Sequence, residues 1–228
     1  MTIMKKSIAI LLAITLLFSL AACGAKEDAP ETSVPKQTEA AKTKTADDTL
    51  EGEKKILTVY FSSANTNSAD AVSSATPYVD GTASTEYLAA YIHDAVGGDI
   101  AKLTPVKDYP ADYSGAADAA KAERDKDERP QFVPLDVNPE DYDVIFVGYP
   151  MWWYTLPMVL YTFFDTYDFS GKTIVPFNTH AGSGDGGTYA EIAEFEPNAT
   201  VLDGLAVSGS RADKALDDVN DWLSGLGF

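Results

Sequence analysis

Hydrophobic patterning along the chain begins at Ile56. Ile56-Leu-Thr-Val-Tyr-Phe61 is an apolar run that reads as a first strand, and it gives way to the polar stretch Ser62-Ser-Ala-Asn-Thr66. A loop rich in Ser and Ala continues to about Ala83, and a helix starts near Ser84 or Thr85. Tyr87, Leu88, Tyr91, Ile92, Ala95 and Val96 form one apolar stripe at helical spacing, closed by Gly97-Gly98. Ile100 to Thr104 reads as a short second strand. Ala116 to Glu128 reads as an Ala-rich surface helix with Pro130 as its stop. Val144 to Val147 is the most apolar strand, and Pro157 suits the first turn of the helix that follows. Thr173 to Phe177 is a fourth strand, Gly187 to Phe195 a short helix, and Thr200 to Val207 a fifth strand. A last helix sets Ala212, Ala215, Leu216, Val219, Trp222 and Leu223 on one face. This alternation predicts an α/β fold, a doubly wound five-stranded parallel sheet with helices on both faces. The order 2-1-3-4-5 suits five such units, although the pattern alone leaves the order open.

Everything before Ile56 has a different character. Lys5 and Lys6 precede an apolar stretch from Ile8 to Leu20, which ends in Leu20-Ala-Ala-Cys23. A basic start, a short apolar centre and small residues before the cut are features of a signal peptide. The stretch is short for a membrane span. Leu-Ala-Ala-Cys resembles the lipobox of bacterial lipoproteins, so Cys23 is the expected lipidation site and the new amino terminus. From Gly24 to Lys55 the chain is Lys, Glu, Asp, Thr, Ala and Pro with little to bury, as in a disordered tether. The expected organisation is a signal peptide over 1–22, a lipidated Cys and tether over 23–55, and one domain over 56–228. That places the protein at the cell envelope, lipid-anchored on the outer side of the cytoplasmic membrane, or on the outer membrane of a Gram-negative cell.

Composition narrows the chemistry. Cys23 is the single cysteine, which leaves no disulfide framework, no Cys-ligated zinc or iron–sulfur cluster and no other thiol nucleophile. His93 and His180 are the only histidines, so no metal site is expected, and any redox chemistry falls to an organic cofactor. The formal net charge is −18, and from Ile56 onward nine basic residues face 27 acidic ones. That excess disfavours nucleic acid as a partner and favours cationic partner surfaces, though solubility alone would explain it as well.

Three loops carry candidate chemistry. In an open α/β sheet ligands bind at the carboxyl ends of strands. After the first strand come Ser62, Ser63 and Asn65, with Ser84 and Thr85 at a helix start. Hydroxyls and backbone N–H groups there make a phosphate cradle that needs no Lys or Arg, although an ordinary polar loop with a capping Ser fits equally. After the third strand come Pro150, Met151, Trp152, Trp153 and Tyr154. Two adjacent indoles on a turn either meet something flat or are core. After the fourth strand, Thr179, His180, Ala181, Gly182 and Ser183 open a Gly-rich loop that lets backbone approach a heterocycle. Gly182, Gly184 and Gly187 also spell GxGxxG, but the match follows the fourth strand and lacks the acidic ribose ligand of a Rossmann unit. His180 is a weak candidate for a catalytic acid or a donor to the ligand's edge.

Several of these segments together resemble a flavodoxin-like family of bacterial FMN-binding proteins. They are Val59-Tyr-Phe-Ser62, Thr85-Glu86, Ala120-Lys-Ala-Glu-Arg124, Arg129-Pro130, Tyr142-Asp143, Gly148-Tyr-Pro-Met-Trp-Trp153, Phe169-Ser-Gly-Lys172 and Pro176-Phe-Asn-Thr-His-Ala-Gly-Ser183. The resemblance implies FMN, with its phosphate on Ser62 and the Ser84–Thr85 region. It implies the ring against Met151 to Tyr154 and the pyrimidine edge near Thr179 to Ser183. The chain departs from the family at Ser62-Ser-Ala-Asn-Thr66, which lacks the usual Gly and is separated from Ser84 by a long insertion. The leading expectation is an FMN-binding electron-transfer protein at the cell envelope, served by a redox protein or a quinone. The alternatives are an NAD(P)H- or quinone-linked flavin reductase with His180 or Arg129 as donor, and a cofactor-free binding lipoprotein on the same fold.

Overall fold

The computed structural model describes residues 54–62, 81–110 and 112–228. Cys23, the expected signal peptide, nearly all of the expected tether, Ser63, Asn65 and most of the long insertion lie outside them. The elements in chain order are β1 (Ile56–Phe61), α1 (Ser84–Val96), β2 (Asp99–Leu103), α2 (Tyr113–Asp125), β3 (Val144–Pro150), α3 (Met158–Thr166) and β4 (Thr173–His180). Then follow α4 (Thr188–Phe195), β5 (Thr200–Val201), β6 (Leu205–Ser208) and α5 (Leu216–Leu226). All strand pairs are parallel, in the order β2-β1-β3-β4, with β5 and β6 both on the outer edge of β4. This is the doubly wound 2-1-3-4-5 sheet.

Strand alternation divides the core into two layers. Leu57, Val59 and Phe61 of β1 and Ile145, Val147 and Tyr149 of β3 point to one side. There they meet Ala116 and Ala120 of α2, Val159 and Phe163 of α3 and Ile192 of α4. Tyr60, Val144 and Phe146 point to the other, against Leu88 and Ile92 of α1 and Val219 and Leu223 of α5. Every residue of β3 is buried, as expected of a central strand covered on both faces. Gly148 allows that closeness: a Cβ there would fall 2.1 Å from Cζ of Phe177 on β4.

The structure departs from the expected pattern at three places. The single fifth strand is two short ones. Leu202 donates its backbone N–H to Ile174, so Ile174 and, by parity, Pro176 face this edge. Pro176 has no N–H to give, and the ladder breaks beside it before resuming at Phe177. Gly204 fills the gap, its α-carbon so close that a Cβ would meet the Tyr189 ring at 2.4 Å. Second, residues 209–214 form a 3₁₀ turn, and α5 proper begins at Leu216. Third, β3 and β4 run farther than expected, so Pro150 and Thr179 are paired strand residues rather than loop residues.

Candidate functional site

The carboxyl rim of the sheet is built from the exits of β3 and β4. Past Pro150, Met151 donates its N–H to the Thr179 carbonyl (2.8 Å), which ties one exit to the other. The chain then reverses in four residues. Trp152 and Thr155 exchange both backbone hydrogen bonds, at 3.2 and 3.0 Å, and the residues between them, Trp153 and Tyr154, have φ of 52° and 62°. Two consecutive positive φ values are the mark of a type I′ reversal, where Asn-Gly is favoured. An aromatic residue there carries a backbone strain of about 1–2 kcal/mol. The two indoles part company in this turn. Trp152 is buried in the core, edge-on to Phe61 (5.1 Å) and Tyr109 (4.8 Å), and its Nε1 has no hydrogen-bond partner among the described residues. Trp153 is 39% exposed and Tyr154 75%.

α2 holds Trp153 from outside. The indole Nε1 donates to the Ala117 carbonyl (3.0 Å), and the Arg124 guanidinium lies over the ring at 5.4 Å. Nearby, the buried Tyr109 hydroxyl donates to Glu123 of the same helix, and burial pushes the Glu123 carboxyl above its usual range.

The exit of β4 is secured from within. The buried Asn178 donates from Nδ2 to the Gly184 carbonyl (3.0 Å) and accepts from the Tyr189 hydroxyl. Nδ1 of His180 accepts the Gly182 N–H at 2.9 Å, which makes Nε2 the protonated nitrogen of the neutral ring. Partial burial lowers the His180 pKa and favours that neutral form. Gly182, Gly184, Gly186 and Gly187 all have positive φ, the conformation in which glycine is least strained.

Between the two exits lies a cleft of about 380 Å³. Its lining is Met151, Trp153 and Tyr154 on one side, Ala181, Gly182 and Ser183 on the other, and Tyr113 and Ala117 of α2. Small-ligand sites typically occupy about 300–1,000 Å³. At the start of α1 the buried hydroxyls of Ser84 and Thr85 reach the Thr179 hydroxyl, at 3.5 and 2.8 Å, and Ser62 at the end of β1 is also buried. Ala83 gives α1 no side-chain cap. The first-turn N–H groups of a helix have no intrahelical acceptors and favour an anion. Thr179 therefore touches both halves of the site, its hydroxyl the α1 end and its carbonyl the β3 turn. A larger groove of about 940 Å³ sits at the opposite, amino-terminal end of the strands, lined by Lys55, Gly98, Asp99 and Phe228 among others. No candidate residue lines it, and α/β sheets bind ligands at the carboxyl ends.

The flavodoxin family model matches residues 55–225. The chain belongs to the flavodoxin family. Among solved structures it is similar to two candidate flavoproteins, from Bacteroides uniformis (25% identity, TM-score 0.60, 76% of this chain and 99% of that one) and Bacteroides eggerthii (26%, 0.58, 77% and 99%). It also shares its fold with a flavoprotein from Lactobacillus acidophilus in complex with FMN, at 21% identity and a TM-score of 0.51 over 71% of this chain and 98% of that one. None of the curated proteins compared with the chain matches it.

In this flavodoxin-family chain the expected site residues divide into groups. Met151, Trp153, Tyr154, Ala181, Gly182 and Ser183 come together around the cleft. Ser84, Thr85 and Thr179 come together at the α1 end. Pro150 stays in the sheet, and Trp152 belongs to the core rather than to a cleft wall. His180 turns away from the cleft and lines a separate groove with Ser208, Arg211 and Asp218. Arg129 is engaged in ion pairs with Asp127 and Asp165, with its guanidinium over Tyr161. Tyr113, Ala117 and Arg124 were not anticipated, because Ala-rich helices expose similar surfaces whether or not they border a site. The Ala120–Arg124 segment within the family resemblance was the one available signal.

Proposed function

We propose that the protein is an FMN-binding electron-transfer flavoprotein, with the flavin ring in the cleft between the β3 turn and the β4 loop. The observation that carries this reading is the cleft itself. Aromatic side chains strained into a left-handed turn face a wall of small residues, at the carboxyl rim of a flavodoxin-family sheet. The other half of the site fits the group as well. The first turn of α1, to which Ala83 brings no side-chain cap, with the Ser84 and Thr85 hydroxyls suits a phosphate monoester. The buried indole N–H of Trp152, beside Phe61 at the end of β1, is a donor that no described residue satisfies.

When bound, FMN supplies the one- and two-electron chemistry. Met151, Trp153 and Tyr154 would cover the ring and exclude water. Ala181 to Ser183 would bring backbone to its polar edge, the Gly182 N–H being already given to His180. The acidic domain would disfavour added negative charge on the cofactor and so lower its potential. A carrier is favoured over a reductase because the two side chains considered as donors, His180 and Arg129, do not line the cleft. We further propose, on Lys5-Lys6, the Ile8–Leu20 stretch and Leu20-Ala-Ala-Cys23, that the protein is anchored at the cell envelope through lipid on Cys23. Its electron partner would then be another redox protein or a quinone.

The native protein extracted from membranes tests both statements. One FMN per chain in the absorption spectrum is the expected result, and Cys23→Ala should move the protein out of the membrane fraction. Native protein without flavin would leave the cofactor-free reading in its place.

A further inference from the structure

The structure assigns Arg124 a role that was not legible in sequence: we propose that it is a positioning residue, whose guanidinium fixes Trp153 in the left-handed turn and so preforms the wall of the cleft. The inference rests on the flavin reading of the cleft for its consequence, but not for its geometry. Trp153 sits where the backbone resists a large side chain, at φ 52°, and the residue is over a third exposed. The backbone pair between Trp152 and Thr155 closes the turn but does not choose the direction of the indole.

Two residues of α2, two helical turns apart on one face, make that choice. Ala117 accepts the indole N–H at 3.0 Å. Arg124 lays its guanidinium over the ring at 5.4 Å and reaches the Trp153 carbonyl with Nη1 at 3.4 Å. The fork is itself aimed. Nε and Nη2 of Arg124 both donate to Oδ1 of Asp125, at 3.2 and 2.7 Å, which leaves Nη1 to serve the turn. Lys121 occupies the other oxygen of Asp125. A planar, five-donor group can stack and donate at once, whereas a lysine ammonium is a point charge that cannot. Preorganising a binding wall raises affinity by removing the cost of ordering it when ligand arrives.

The test uses the full chain with Arg124→Ala, Arg124→Lys, and Lys121→Ala as a control that touches Asp125 but not the turn. Two quantities are read: the FMN dissociation constant, and hydrogen exchange of the Trp153 indole N–H in the apoprotein by NMR. Arg124→Ala should weaken FMN binding and speed indole exchange, each by about tenfold, while the chain stays folded. Arg124→Lys should recover less than half of either loss, and Lys121→Ala should change neither. In a Trp153→Ala background, Arg124→Ala should cost no further affinity. Unchanged indole exchange in Arg124→Ala would overturn the proposal. So would an equal effect of Lys121→Ala, or a full effect without Trp153. Should the wild-type protein take up no FMN, the indole measurement alone decides the positioning role, so the two failures remain separate.

Discussion

Across the cleft, the turn after β3 places two aromatic side chains, Trp153 and Tyr154, where glycine would be easiest. The loop after β4 has a glycine at each such position. The first is held from outside, by Ala117 and Arg124 of a neighbouring helix. The second is held by its own strand, through Asn178 and His180. Strain on one wall and relaxation on the other have a physical logic. A stacking wall needs rigid aromatic area, which the αL conformation opposes, while a wall that meets a polar edge needs exposed backbone, which glycine provides. Strain kept where nothing in the fold demands it points to a purpose at the site.

The contrast between the walls can be broken first at their shared base. Both spring from β3 and β4, packed at Gly148 against Phe177, and Gly148→Ala should destabilise the fold by about 3 kcal/mol and loosen both walls together. Chemical denaturation measures this, and a loss below about 1 kcal/mol would mean the strands separate more easily than the packing implies. Asn178→Ala should act on the β4 wall alone. It strands the Gly184 carbonyl and the Tyr189 hydroxyl, at about 2 kcal/mol, and should raise amide exchange in residues 182–187 without affecting the Trp153 indole.

Replacing Trp153-Tyr154 by Asn-Gly should invert the usual sign of mutation. Strain is relieved, so the apoprotein should gain about 1–2 kcal/mol while FMN binding weakens by about tenfold or more. A variant that is less stable than wild type would show that the turn is not strained. The smallest effect concerns pH. Because the folded His180 pKa lies below its ordinary value, the neutral ring contributes stability above the unfolded pKa. That contribution is lost as pH falls through the folded one. Protonated Nδ1 cannot accept the Gly182 N–H, so acid should loosen the β4 loop, by less than about 1 kcal/mol at this partly exposed position. His180→Gln should flatten the dependence, followed by Gly182 amide exchange as the pH is lowered from about 6.5, the ordinary histidine value.

Much of this was legible in the chain. The apolar run Val144 to Val147, its stop at Gly148 and the Gly-rich stretch after Phe177 set the sheet and the rim. The family resemblance supplied the strand order that patterning left open. What escaped reading was decided by contacts between distant segments. The adjacent Trp152 and Trp153 look alike in sequence, yet a tight reversal sends one to the core and the other to the cleft. Within Thr200 to Val207 only Asp203-Gly204 hints at the break in the fifth strand, whose cause is the missing N–H of Pro176 on the adjacent strand. Arg124 was likewise hidden, since its role depends on where α2 lies against a turn 29 residues later in the chain.

The most direct measurement is a titration of the apoprotein with FMN, followed by the quenching of flavin fluorescence, for the wild type and for Trp153→Asn/Tyr154→Gly in parallel. The account predicts saturation at one FMN per chain for the wild type and binding weaker by about tenfold or more for the variant. Equal affinity in the two proteins, or no saturable binding by the wild type, would contradict it.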